Sequence, residues 1–169
     1  MLRRLVLTLA AVANLLLVDQ VVKAASVSLL KGRPPRVVLD GLFNLAYVEN
    51  RGCAWGMFQG HVWPLAVFAC VALVVLFWKR KAVFPAGWTG LAAELMLYAG
   101  IVGNLVDRVA RGFVVDMFDF HWGVHHFPCF NVADAYITVA AAILVVCVFL
   151  ESRRGKAGPE GARKGRAGA

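Results

Sequence analysis

Asp134 stands inside the apolar run from Asn131 to Leu150, and Asp116 lies eighteen positions upstream, just past the end of another apolar run. An ionisable side chain in hydrocarbon costs on the order of 3 kcal/mol or more, so a chain that keeps one there is read first as using it. Two carboxylates near one membrane face can divide acid–base work: one takes a proton from water while the other holds or donates one at a carbonyl oxygen. Like charges at short range resist ionising together, so such a pair shares a proton and titrates as a unit. Asp134 follows a helix start, where the helix dipole favours the charged form, which makes it the base and Asp116 the acid. No serine or cysteine in a recognisable nucleophile setting competes with this chemistry.

The elements that must position these acids are membrane spans. The chain has 169 residues, of which 60% are hydrophobic and 17% charged, with a mean hydropathy of +0.69. That composition excludes an ordinary soluble domain. Four stretches suffice to cross ~30 Å of hydrocarbon at ~1.5 Å per helical residue: Leu5 to Val22, Val62 to Trp78, Ala86 to Val106 and Asn131 to Leu150. The expected fold is an all-α membrane protein of four transmembrane helices with a small extracytoplasmic β element, occupying residues 1–152. The net charge of +8 is distributed as a topology signal: Arg3 and Arg4 precede the first span, Lys79, Arg80 and Lys81 join the second to the third, and six Lys or Arg follow the fourth. By the positive-inside rule both termini and the middle loop are cytoplasmic. Residues 153–169, rich in Gly and Ala, read as a disordered basic tail facing phospholipid, and nucleic acid is not an expected partner.

The N-terminal segment mimics a secretory signal, but Asp19, Gln20 and Lys23 interrupt the place where a cleavage region is small and neutral, so the segment is retained. Cys53, Cys70, Cys129 and Cys147 lack metal or disulfide spacing and read as packing residues, with a Cys53–Cys129 pairing left open.

With this topology residues 24–61 and 107–130 lie on the outer side. Asp40-Gly41 is a turn dipeptide between Arg36 to Leu39 and Leu42 to Val48, which predicts a hairpin with Phe43, Leu45 and Tyr47 on one face. Trp55, Met57 and Phe58 return the chain to the interface. Phe113 to Phe120 reads as a short strand, in which Asp116 and Asp119 point to opposite faces because their separation is odd. Phe127-Pro128 reads as the start of the last helix.

Asp19, Asn104 and Asp134 all fall near the outer ends of their spans, with Asp107, Arg108 and Asp116 just outside, so three helices bring their rare polar groups to one depth. A structural role is open to each. Asn131 and Asp134 have capping-box spacing; Asp116 has Arg108 and Arg111 as possible ion partners; Asp19 and Lys23 are four apart, as in an intrahelical pair. Gly100 and Gly103 suit close helix packing, and Glu94 a polar contact between helices. His121, His125 and His126 lack zinc-site company, so no metal and no other cofactor is expected.

Five motifs together resemble one family: Asp19-Gln20-Val21-Val22-Lys23; Asn50-Arg51-Gly52-Cys53-Ala54-Trp55-Gly56; Gly100-Ile101-Val102-Gly103-Asn104-Leu105-Val106-Asp107-Arg108; Val114-Val115-Asp116; and Phe127-Pro128-Cys129-Phe130-Asn131-Val132-Ala133-Asp134. In order, spacing and position relative to the spans they are similar to lipoprotein signal peptidase, the bacterial type II signal peptidase, over residues 5–150. The resemblance implies a membrane-embedded aspartyl endopeptidase of the bacterial inner membrane. Its substrates would be diacylglyceryl-modified prolipoproteins, cut just before the lipid-bearing cysteine near the outer face, and its expected inhibitor is of the globomycin type. By motif it makes Asp116 and Asp134 the catalytic pair, supported by Asp19, Lys23, Asn50, Gly52, Asn104, Asp107, Arg108 and Asn131. Cys53, Trp55 and Cys129 depart from the more usual alanine, phenylalanine and alanine, which bears on substrate fit and inhibitor sensitivity but leaves the acids untouched.

Membrane lipids are the expected surroundings. A presenilin-type protease would carry Tyr-Asp and Gly-x-Gly-Asp motifs on more spans, and neither motif occurs. A small proton-coupled transporter is the alternative outside enzymology, but it needs polar groups across the whole depth, whereas this chain, apart from Asn14 and Glu94, confines them to the outer third.

Overall fold

The computed structural model describes residues 2–53 and 57–156, in which four long helices are accompanied by two pairs of short strands. The helices are α1 (Leu2–Leu30), α2 (Val62–Val83), α3 (Trp88–Arg111) and α4 (Val132–Lys156), and each is long and apolar enough to cross a membrane. Between α1 and α2 run β1 (Arg36–Leu39) and β2 (Phe43–Asn50); between α3 and α4 run β3 (Val114–Trp122) and β4 (His125–His126). The chain is a four-helix membrane protein with one small antiparallel sheet at one end of the bundle, ordered β1-β2-β3-β4.

Helix α3 is the hub. It buries Ala93, Glu94, Ala99, Gly100, Gly103, Asn104 and Asp107 and packs against all three other helices. Its glycines set the approach: a Cβ at Gly100 would stand 2.5 Å from the Ala133 carbonyl oxygen, and one at Gly103 2.5 Å from Asp19 Oδ2. Small residues let backbones meet where lipid supplies no hydrophobic drive. Glu94, 6% exposed, is the expected polar contact between helices, its partner being Arg80 of α2 at 2.8 Å.

Helix α1 runs to Leu30, eight residues beyond the expected end of the first span, so the first connection begins at 31 rather than 24. Lys23, which marked that end, is fully buried and paired inside the bundle, and good helix formers follow it. At the other terminus α4 continues to Lys156, past the expected boundary at 153; the remainder of the basic tail lies outside the described residues, as does Trp55. The last helix starts at Val132, not at Phe127-Pro128. Residues 127–130 are instead tied alongside β3, with Phe127 N donating to Phe120 O at 2.8 Å and Phe130 N to Phe118 O at 3.2 Å.

The hairpin at Asp40-Gly41 forms as expected, with Gly41 alone in the left-handed region at φ 70°. One expectation fails within it. The register passes from Leu45↔Phe118 to Val48↔Asp116, so β2 spends three steps where β3 spends two. The extra residue is a bulge that reverses the alternation. Tyr47 therefore leaves the face of Phe43 and Leu45 and bonds Glu49 behind the sheet at 3.0 Å. The same bulge turns Val48 and Asn50 onto the face of Asp116.

Candidate active site

Asp107 and Asp19 build the floor of the site from α3 and α1. Between them lies Lys23, 0% exposed, its ammonium 3.0 Å from Asp19 Oδ2, 3.2 Å from Asp107 Oδ2 and 3.1 Å from Asn104 Oδ1. Three acceptors meet three donors, which is what a buried lysine requires. Arg111 pairs with the second oxygen of Asp107, so two buried carboxylates face two cations. The remaining valences tie elements together: Asp19 Oδ1 accepts from Ala133 N at the start of α4 at 2.9 Å, and Asp107 Oδ2 from Val115 N in β3 at 3.0 Å. Gln20 adds a donor to Asp19 Oδ2 at 3.0 Å. The expected Asp19–Lys23 ion pair is thus present and belongs to a larger clamp that fixes α4 and β3.

Above that floor sit two amides. Asn104 accepts from Lys23, so its Nδ2 points the other way and donates to Asp134 Oδ1 at 2.7 Å. Asn131 and Asp134 form the expected reciprocal cap: Asp134 N donates to Asn131 Oδ1 at 3.0 Å, and Asn131 N to Asp134 Oδ2 at 3.3 Å. The Asn131 side-chain amide also donates to Asp116 Oδ1 at 2.6 Å and to Asn104 Oδ1 at 3.2 Å. Asn50, delivered by the β2 bulge, donates to Asp116 Oδ2 at 3.0 Å. Asp116 and Asp134 therefore share Asn131 as a common partner.

Asp116 takes part in neither of its possible ion pairs. Arg111 is committed to Asp107, and Arg108 donates to the Gly52 carbonyl at 3.0 Å and to the Asn104 carbonyl at 3.4 Å. Gly52 N in turn donates to Asn50 Oδ1 at 2.9 Å, and a Cβ at Gly52 would strike the Met57 carbonyl at 2.4 Å. Burial, with the charge of Asp134 second, pushes the Asp116 carboxyl up to about 7. Asp119 lies on the opposite face of the sheet as its parity requires, held by His126 at 2.7 Å and Asn44 at 3.3 Å.

A cavity of about 1230 Å³ opens from this cluster. Its walls are Pro64, Leu65, Phe68, Ala69 and Ala72 of α2, Leu97 and Ile101 of α3, and Ala135, Ile137, Thr138 and Val139 of α4. Asn50, Asn104, Arg108 and Asp134 stand at its polar end. It is an apolar cleft over α3, flanked by α2 and α4, that ends on a carboxylate. Phe127, Pro128, Cys129 and Phe130 complete the rim; burial drives the Cys129 thiol up to about 12, which keeps it an inert wall residue.

All the residues expected to form or support the site, Asp19, Lys23, Asn50, Gly52, Asn104, Asp107, Arg108, Asp116, Asn131 and Asp134, fall into this one network. Arg111 and Gln20 belong to it as well. The i,i+4 spacing of Asp107 and Arg111 carried that signal for the first.

An apolar cleft that ends on Asp134, with Asp116 joined to it through Asn131, at one end of a four-helix membrane bundle is the architecture of a small multi-pass membrane enzyme. The chain is similar to a solved bacterial membrane enzyme, determined by the in meso method at 2.3 Å, with a TM-score of 0.76 and 26% identity over 86% of this chain and 88% of that one. Among curated relatives, the lipoprotein signal peptidase of Fusobacterium nucleatum is 38% identical over 133 residues, which cover 78% of this chain and 79% of that protein. That of Aeromonas hydrophila is 37% identical over 142 residues, covering 80% and 84%. Residues 11–150 match the family model of signal peptidase (SPase) II, and the chain belongs to that family. Membership of a peptidase family sets aside the transporter reading.

Proposed function

We propose that the chain is an aspartyl endopeptidase that removes the signal peptide from diacylglyceryl-modified prolipoproteins, cutting before the lipidated cysteine. The observation that carries this reading is Asn131, which bonds both Asp116 and Asp134 where the apolar cleft ends. An apolar signal helix in the bilayer enters the cleft between α2 and α4, and its scissile bond arrives at the acids as the chain leaves the hydrocarbon.

Asp134 takes a proton from water, and the resulting hydroxide equivalent attacks the scissile carbonyl carbon. Asp116, whose carboxyl is raised to about 7 by burial and by Asp134, donates its proton to the carbonyl oxygen. The tetrahedral diol collapses as Asp134 passes its proton to the leaving amine of the cysteine and Asp116 takes a proton back from one diol hydroxyl, so that the C–N bond breaks, the carbonyl re-forms as a carboxyl group and both acids return to their starting states. Asn104 and Asn131 orient Asp134, Asn50 and Asn131 orient Asp116, and Arg108 braces the 50–53 segment through Gly52. Lys23, Asp19 and Asp107 hold the clamp beneath. The basic residues at the first turn of α1 (Arg3, Arg4), in the last turns of α2 (Lys79, Arg80, Lys81) and from Arg153 onward at the end of α4 support, by the positive-inside rule, cytoplasmic termini and acids near the outer face of the bacterial inner membrane. A globomycin-type inhibitor would occupy the cleft at its polar end.

Incubating the purified protein in lipid with a diacylglyceryl prolipoprotein peptide, and locating the cut by mass spectrometry, tests the reading. A new N-terminal lipidated cysteine is expected; cleavage elsewhere, or equal cleavage of the peptide without lipid, would refute the substrate assignment.

A further inference from the structure

The sheet has two unlike faces. Asn44, Asp119, His121 and His126 lie together behind it, joined by hydrogen bonds. The face that carries Asp116 is aromatic. Phe43 stacks on Phe120 at 4.5 Å between ring centroids, Phe120 on Phe130 at 5.9 Å, Phe118 meets Phe130 at 5.5 Å, and Phe127 stands edge-on to Phe130 at 6.0 Å. Phe120 and Phe127 remain 39% and 53% exposed. A contiguous apolar patch of this kind at a sheet face marks something that covers it.

Position says what that is. Phe127 and Phe130 line the cleft, so the rings continue its wall past the acids. Phe130 precedes Asn131 in the chain, and its carbonyl accepts from Met117 N at 3.0 Å and Phe118 N at 2.9 Å, directly after Asp116. On the reading above, which this inference rests on, the bond cut is the amide of the cysteine itself, so the residue bearing two acyl chains begins at the scissile nitrogen, about 1.5 Å from its Cα. Apolar surface must then begin beside the acids, on the side away from the signal helix. A hydrophilic mature chain has no need of five phenyl rings, and a sheet merely resting on the bilayer has no need to put them on the catalytic face.

We propose that the aromatic face formed by Phe43, Phe118, Phe120, Phe127 and Phe130 is the docking surface for the acyl chains of the substrate's diacylglyceryl group. It sets the preference for long-chain lipid at the cleavage site.

The test compares one prolipoprotein peptide carrying either dipalmitoylglyceryl or dibutyrylglyceryl cysteine, cleaved in the same lipid by wild type, Phe120→Ser and Phe120→Leu. Wild type should favour the long-chain substrate by at least about tenfold in kcat/KM; Phe120→Ser should cut that ratio about fivefold, and Phe120→Leu should keep it within about twofold. A serine variant that keeps the wild-type ratio overturns the proposal, as does one that slows both substrates alike, the result for a bilayer contact. Wild type active but blind to chain length overturns the docking surface alone; wild type inert on both substrates overturns the peptidase reading and the docking surface with it.

Discussion

The side-chain amide of Asn131 stands 2.6 Å from Asp116 Oδ1, the shortest link between the strand that carries one acid and the helix that carries the other. The backbone of the same residue caps Asp134, so a single asparagine fixes both carboxylates. Local sequence builds half of this device: Asn131 and Asp134 are a helix cap before they are anything else. The other half depends on β3 being pinned at Val115 by Asp107 and at Phe118 by Phe130.

Asn131→Ala should therefore lose alignment as well as a cap. Turnover is expected to fall about 100-fold, as for displacement of a reacting group by ~1 Å. Stability should fall by about 1–3 kcal/mol for the orphaned partners. Steady-state cleavage and thermal unfolding in detergent measure the two; unchanged turnover at lowered stability would make Asn131 a cap and nothing more.

The Asp116 carboxyl is pushed up to about 7 by burial and by Asp134, so kcat/KM should decline as pH rises through that value and the proton donor is lost. The stability linkage has the same sign. The folded chain holds a proton that the unfolded chain releases near pH 4, so the stabilisation is complete below pH 4 and disappears as pH rises to about 7. Asp116→Asn lacks this titration and should gain on wild type across that window by a few kcal/mol at most, about 1.4 per pK unit. Melting temperatures of both proteins from pH 4 to 8 check it; a constant gap would contradict the raised value.

Lys23→Met leaves Asp19 and Asp107 buried around a vacated charge. Removing one partner of such a cluster costs about 3–5 kcal/mol, and the variant should unfold at a clearly lower temperature or fail to accumulate. Chemical denaturation in mixed micelles is the measurement, and a loss below about 1 kcal/mol would mean the clamp is not what holds α1 to α3.

Gly103 and Gly112 separate two uses of glycine. A methyl at 103 would press within 2.5 Å of an Asp19 oxygen that is already bonded on two sides, so Gly103→Ala should cost about 1–3 kcal/mol and disturb the site. Gly112 ends α3 at φ 76° in open space, and Gly112→Ala should cost only about 1 kcal/mol without touching turnover. Equal effects on cleavage would argue against close packing at Gly103.

Much of this was legible in the residues because it is local. The spans follow from apolar length, the β1–β2 turn from Asp40-Gly41, the cap from the Asn131 and Asp134 spacing, and the Asp19–Lys23 pair from one helical turn. What sequence left open depends on contacts far apart in the chain. Whether Lys23 ends a span or lies buried within one depends on Asp107 and Asn104, more than eighty residues away. The bulge that moves Tyr47 and delivers Asn50 exists only in register with β3, and Arg108 reaches Gly52 instead of Asp116 because the 50–53 segment folds back over α3. The aromatic face was hidden for the same reason: its rings come from three separate segments.

The most direct test of the central claim is cleavage of a diacylglyceryl prolipoprotein by wild type, Asp116→Asn and Asp134→Asn, each purified at matched folded yield. The account predicts that each asparagine variant loses cleavage by at least about 1000-fold while remaining folded, since either role is indispensable. Substantial turnover surviving either substitution would contradict it and make that carboxylate a structural member of the network.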